Sequence, residues 1–127
     1  MSIRYGTDIV KIERIRRLLD RKEKAAERLF TAAERMYAEG RGKGKYASYA
    51  AMFAAKEAVI KALQGGGGTW HEIEVRHTES GAPYLQLAGT VRQRCEEIGA
   101  VSSTVSLSHE REYAIAGVIL WGHGSTL

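Results

Sequence analysis

The chain has 127 residues, 44% hydrophobic and 27% charged, with a formal net charge of +4 at neutral pH. That length suits one domain with a modest core, which a subunit contact would help complete, and the charge excess favours an acidic partner: an anionic cofactor, an acidic protein or nucleic acid. The single cysteine, Cys95, excludes an intrachain disulfide framework and a multi-cysteine zinc site, and no apolar run approaches the roughly 20 residues of a membrane span.

Ile3 to Val10 mixes β-branched and aromatic residues with polar ones and reads as a strand, with Asp8 at its far end. From Lys11 the period changes. Ile12, Ile15 and Leu19 recur at helical spacing, with Arg14, Arg17 and Arg21 on another side. A short helix is expected over Lys24 to Phe30. Thr31-Ala-Ala-Glu34 fits a capping box, so a further helix starts at Thr31 and ends near Gly40. "GRGKGK", Gly40 to Lys45, reads as a flexible basic loop. A long alanine-rich helix follows, from about Tyr46 to Gln64, and the glycines Gly65 to Gly68 stop it.

The second half changes character. His71 to Thr78 alternates around Ile73 and Val75 as a strand, Glu79 to Pro83 is a turn, and Tyr84 to Leu87 returns as its hairpin partner. Gly89 to Gly99 holds a short helix with Val91, Cys95 and Ile98 on one stripe. Ser103 to His109 and Tyr113 to Trp121 form two more strands across a turn at Glu110 to Glu112, and the tail from residue 121 or 122 onward is expected to be loose. Strand, helices, hairpin, helix and hairpin in that order make an α+β arrangement in one domain, not an alternating βαβ fold. The opening "MSIRYGTDIVKI" lacks a signal-peptide pattern, because Asp8 and Lys11 interrupt it, and one cysteine fits a reducing cytoplasm.

Within "MFAAKEAVIKAL", Met52 to Leu63, Glu57 and Lys61 are four apart and share a helix face. One reading is an exposed Glu–Lys pair, contributing only ~0.3–0.5 kcal/mol. The other is a half-site: a carboxylate for a metal and an ammonium for a phosphate. Asp8 supplies a second carboxylate between a strand and a helix. From the sequence alone its first reading is the N-cap of that helix. Two carboxylates from separate elements with open positions left over suit Mg²⁺, which keeps several waters and takes phosphate oxygens. "SLSH", Ser106 to His109, ends a strand with hydroxyls and an imidazole, a pattern that a solvated strand end also produces. The glycine run matches no Walker pattern. Arg14, Arg17 and Arg21 form either a solvated face or a dock for an acidic helix.

Taken together, "GTDIVKIERI" (Gly6–Ile15), "FAAKEAVIKAL" (Phe53–Leu63), "SGAPYLQLAG" (Ser80–Gly89) and "SLSHEREYAIAGVIL" (Ser106–Leu120) resemble the holo-acyl-carrier-protein synthases, the small single-repeat branch of the 4′-phosphopantetheinyl transferases. The resemblance runs from about Ile3 to Leu120. It implies a small antiparallel sheet packed against the long helix. It also implies transfer of the phosphopantetheine arm of coenzyme A to a serine of apo acyl carrier protein, releasing adenosine 3′,5′-bisphosphate. Fatty-acid biosynthesis is one setting for such an enzyme. By the same resemblance, Asp8 and Glu57 match metal ligands for Mg²⁺ or Mn²⁺, Lys61 faces the phosphates, and Glu57 is the candidate base. His109 with Ser108, Pro83, Gly65 and Lys45 match the cofactor region. Arg14, Arg17 and Arg21 match the surface that receives carrier protein. Homotrimers with active sites between subunits are implied as well.

Two positions depart from the family pattern. Met52 stands where an arginine commonly serves the 3′-phosphate of coenzyme A, for which Arg41, Lys43 or Lys45 is a possible replacement. Gln64 stands where glycine is frequent after the lysine helix. A chain that keeps the fold but has lost the chemistry is therefore a third reading. A basic binding module for nucleic acid or an acidic partner is the second. Against the second, the aromatics are few and scattered, with no base-stacking pattern. Neither nucleic acid nor membrane is expected as a partner.

Overall fold

The computed structural model describes residues 2–65 and 69–122. In chain order they form β1 (Ser2–Lys11), α1 (Ile12–Arg21), α2 (Ala25–Leu29), α3 (Ala32–Glu39), α4 (Lys45–Ala62), β2 (Ile73–His77), β3 (Pro83–Leu87), α5 (Gly89–Glu97), β4 (Ser102–His109) and β5 (Tyr113–Gly122). The expected α+β class is the one observed. β5 is the middle strand of an antiparallel sheet ordered β1-β5-β4, and β2 and β3 form a separate hairpin.

Each strand of the larger sheet has one face toward α4 and one away from it. Gly6 and Val10 of β1, and Ala114, Ala116, Val118 and Leu120 of β5, are buried on the inner face. Ile3, Tyr5, Ile9, Ile115 and Ile119 lie on the outer face and stay exposed. Register pairs Tyr5 with Ile119 and Ile9 with Ile115 across that face.

Helix α4 lies on the inner face, and its alanines set how closely. Ala50, Ala54, Ala55 and Ala58 have no exposed surface. Opposite them Gly6 presents bare backbone. A Cβ there would stand 2.8 Å from the amide nitrogen of Ala62 and overlap the carbonyl of Ala58. Only glycine permits this approach, and it brings the last turns of α4 down onto β1.

The capping box expected at Thr31 is present: the Glu34 N–H donates to Thr31 Oγ1 and the Thr31 N–H donates to Glu34 Oε1 at 2.9 Å. Helix α4 ends two residues earlier than expected, in a Schellman turn. Gly65 N–H donates to the Ile60 carbonyl and Gln64 N–H to that of Lys61, with Gln64 at φ 60°. Three further expectations change. His71 belongs to a 3₁₀ turn, Trp70–Glu72, rather than to a strand, and "GRGKGK" contains a 3₁₀ turn at Gly42–Gly44. Trp121 and Gly122, expected to begin a loose tail, instead end β5, paired with Ile3 and Ser2 of β1; Gly66 to Gly68 and the rest of the tail, residues 123–127, lie outside the described residues.

Candidate functional site

Asp8 points inward from β1, two positions beyond Gly6, and so meets the end of α4 that Gly6 admits. Lys61 Nζ donates to Asp8 Oδ1 at 3.0 Å. Asp8 therefore does not cap α1. That helix begins after Lys11 with no side-chain cap bond, because β1 continues three residues past Asp8. Nor do Glu57 and Lys61 pair simply with each other, since the lysine reaches across to the strand.

Glu57 lies one turn before Lys61. Burial raises its pKa above the ordinary carboxylate value, and the negative charge of Asp8 raises it further, while Lys61 and Arg14 pull it back. Four charged groups from three elements thus act on one another: Asp8 of β1, Arg14 of α1, and Glu57 and Lys61 of α4. No group of three or more His, Cys, Asp or Glu side chains forms a metal cluster among the described residues. Two interacting carboxylates suit a hard divalent cation whose other positions are taken by water and ligand oxygens, so the residues present fit Mg²⁺ or Mn²⁺.

The arginines of α1 gather as the spacing suggested. Arg14, Arg17 and Arg21, with Lys11, Lys22 and Leu18, line one groove. Arg17 is also engaged by Glu13 at 3.4 Å.

A second cleft lies on the far side of α4. His109 and Pro83 line it together with Arg41, Ser48 and Met52. Ser48 and Glu57 are about two and a half helical turns apart, so they project from opposite faces of α4. Asp8 and His109 likewise sit on β1 and β4, the two outer strands of the sheet. Within the chain the acidic site and this cleft are therefore two separate surfaces. Ser108 parts company with His109: it pairs with exposed Ile115 on the outer face of the sheet, because neighbouring strand residues alternate. Lys45 is tied to Glu39 at 3.1 Å. Gly65, at φ 92°, completes the turn after α4.

Sequence reasoning missed two features, one in the core beside α4 and one at the second cleft. Lys56 and Glu34 form a fully buried ion pair at 2.8 Å between α4 and α3. Tyr37 and His77 stack with ring centroids 3.6 Å apart and planes 4° from parallel, and both rings border the second cleft. His77 is held below the ordinary histidine pKa, first by burial and then by the Arg41 charge. The capping box was the only signal for Glu34. Nothing local marked the stack, whose members are 40 residues apart in sequence.

The family model of the 4′-phosphopantetheinyl transferase superfamily matches residues 4–118. The holo-[acyl-carrier-protein] synthase of Ruminiclostridium cellulolyticum is 42% identical over 94% of this chain and 92% of its own length. That of Streptomyces griseus is 45% identical over 96% of this chain and all of its own. The crystal structure of the Bacillus anthracis holo-(acyl-carrier-protein) synthase, in complex with CoA (3′,5′-ADP), superposes with a TM-score of 0.77. It is 34% identical and covers 94% of this chain and 96% of its own. The chain belongs to the 4′-phosphopantetheinyl transferase superfamily and, within it, to the holo-[acyl-carrier-protein] synthase enzymes.

Proposed function

We propose that the protein transfers the phosphopantetheine arm of coenzyme A to a serine hydroxyl of an apo acyl carrier protein, releasing adenosine 3′,5′-bisphosphate. The observation that carries this reading is the meeting of Asp8, Glu57 and Lys61 at the end of α4, with Lys61 Nζ 3.0 Å from Asp8 Oδ1. In the reaction a bond forms between the serine oxygen and the phosphorus that bears pantetheine. The bond from that phosphorus to the bridging diphosphate oxygen breaks, and the nucleotide leaves with the bonding pair. Such a step needs positioning and charge neutralisation more than covalent help from the protein.

Asp8 and Glu57 would hold Mg²⁺ or Mn²⁺, which supplies positive charge to the diphosphate oxygens when bound. Glu57 is the carboxylate that accepts the serine proton, directly or through a metal-bound water. Lys61 is more than half exposed and keeps an ammonium at the mouth of the site, where it neutralises charge on the departing phosphate. Arg14, Arg17 and Arg21 form a basic groove beside that mouth, suited to an acidic carrier protein. Steering by this charge raises the association rate and weakens with salt.

A homotrimer fits both separate surfaces and the bare sheet face. The acidic site of one protomer and the Pro83–His109 cleft of its neighbour would together make one complete site. Action in the cytoplasm, in fatty-acid or related carrier metabolism, accords with soluble substrates. No helix among the described residues is long and apolar enough to cross a membrane.

The test incubates the protein with apo acyl carrier protein, coenzyme A and Mg²⁺ and weighs the carrier by mass spectrometry. The expected result is one added phosphopantetheine. No mass gain on several apo carriers would overturn the proposal.

A further inference from the structure

The carboxylate of Asp8 is 17% exposed and already has a positive partner, the Lys61 ammonium at 3.0 Å. We propose that Lys61 holds the place of the divalent cation on Asp8 in the free protein, and yields it when the cofactor's diphosphate draws the ammonium away. This inference rests on the transferase reading above and gives one of its residues a second task, control over when the metal binds.

A carboxylate mostly removed from water needs a counter-charge. At Asp8 that charge comes from Lys61, whose Nζ donates to Oδ1. A metal on the same carboxylate has to share this acceptor or displace the ammonium. The neighbouring acid feels the same balance. The charge of Asp8 adds to the burial that opposes ionisation of Glu57, and Lys61 relieves it. Two carboxylates and one ammonium leave one net negative charge. A divalent cation set beside the ammonium would overshoot to one net positive charge, and the two cations would repel at contact range. With a diphosphate present, both cations have further oxygens to neutralise, so both can stay.

Lys61 has room to leave. Its side chain is 57% exposed. It also lines a groove with Ser2, Arg4, Tyr5 and Gln64, along the part of β1 that lies on the other side of Gly6 from Asp8. No acidic side chain lines that groove among the described residues, and Arg4 adds a second cation to it. An ammonium that swings off Asp8 in this direction finds no carboxylate of the chain. Glu57, one turn earlier on α4, is itself a candidate metal ligand. The new partner of the ammonium must therefore be an anion brought by the ligand. Cation and cofactor then bind cooperatively, and by linkage each raises the affinity of the other by the same factor.

The experiment titrates Mn²⁺ into the protein without cofactor, following free Mn²⁺ by electron paramagnetic resonance, for the unsubstituted chain, Lys61→Met, Lys61→Arg and Arg4→Met. Lys61→Met should bind Mn²⁺ about tenfold more tightly, within the usual range of coupling between two ligands, while its transfer rate falls. A lysine that only supported the fold would not move these two readouts in opposite directions. Lys61→Arg keeps a cation on Asp8 and should stay near the unsubstituted affinity. Arg4→Met removes a neighbouring cation that makes no ion pair with Asp8, and should change Mn²⁺ binding by less than about twofold. With coenzyme A present the advantage of Lys61→Met should shrink, because the ammonium has then left Asp8. Equal Mn²⁺ affinity of Lys61→Met and the unsubstituted protein overturns the inference, as does an equal gain in Arg4→Met. Either result leaves the transferase reading intact. If no Mn²⁺ binding that Asp8→Asn removes is found, with or without coenzyme A, the metal site of that reading fails, and this inference with it.

Discussion

At Glu57 the environment opposes ionisation, and the opposition comes from burial and from Asp8. Replacing the carboxylate by its neutral isostere removes the base and one candidate metal ligand while keeping the shape. Glu57→Gln should therefore lower the transfer rate by at least about 10²-fold, the scale of general-base effects. No hydrogen bond holds this side chain among the described residues, so melting should stay close to that of the unsubstituted protein. Near-normal transfer, read as carrier mass against time, would remove Glu57 from the chemistry. Gln64 gives a second test at the same scale. It occupies the left-handed position of the α4 Schellman turn at φ 60°, which costs a residue with a Cβ about 1 kcal/mol or more. Gln64→Gly gives part of this back as unfolded-chain entropy. It should still stabilise the protein by a few tenths of a kcal/mol to about 1 kcal/mol in urea unfolding; a loss of stability would mean that the glutamine side chain itself stabilises the turn. Such residues differ in how far the sequence announces them. Glu57 and Lys61 share a face by simple helical spacing, but Lys61 bonding to Asp8, 53 positions away, is set by how β1 meets α4. Spacing along the chain carries no record of that meeting.

Helix α4 presents the same limit at the scale of an element. Its helical character was legible in alanine content and in the glycines that follow. Which of its charged residues would be buried was not, since Lys56, Glu57 and Lys61 look alike in a composition window. The structure buries Lys56 completely and leaves Lys61 in solvent. Lys56 Nζ meets Glu34 Oε1 at 2.8 Å and donates to the carbonyls of Trp70, at 2.9 Å, and Ile73. Glu34 in turn accepts from the backbone N–H of Val75 at 2.7 Å and caps α3. One buried pair thus joins α3, α4 and the start of β2, with its polar atoms satisfied. Burial lowers the Lys56 pKa despite the attraction of Glu34. Removing one partner leaves the other charge buried without compensation, which costs about 3–5 kcal/mol. Lys56→Met should lose stability on that scale in urea unfolding. Glu34→Gln combined with Lys56→Met should lose less than the sum of the single losses, because neither charge is then stranded. Strict additivity would show that the pair is not coupled.

For the whole molecule, the outer face of the β1-β5-β4 sheet is the feature that one protomer leaves unresolved. Ile3, Tyr5 and Ile9 are 60% exposed or more, and Ile115 and Ile119 lie beside them in register. A sheet face this apolar normally packs against something, and among the described residues no element of the chain covers it. The two candidate half-sites provide the functional counterpart, since α4 separates them within a protomer and a neighbouring copy can bring them together. Both arguments favour self-association, in line with the homotrimer proposed above. Ile119→Glu places a charge in the centre of that face, paired across β5 with Tyr5 on one side and Thr104 on the other. Because the position is open to solvent in a single protomer, the substitution should spare the fold. In sedimentation the variant should run as a monomer with an unchanged far-ultraviolet dichroism spectrum, and transfer should fall in step with the loss of assembly. A fully active monomer would mean that one chain carries a complete site, and the separation of Glu57 from His109 by α4 would then have to be bridged by the cofactor alone.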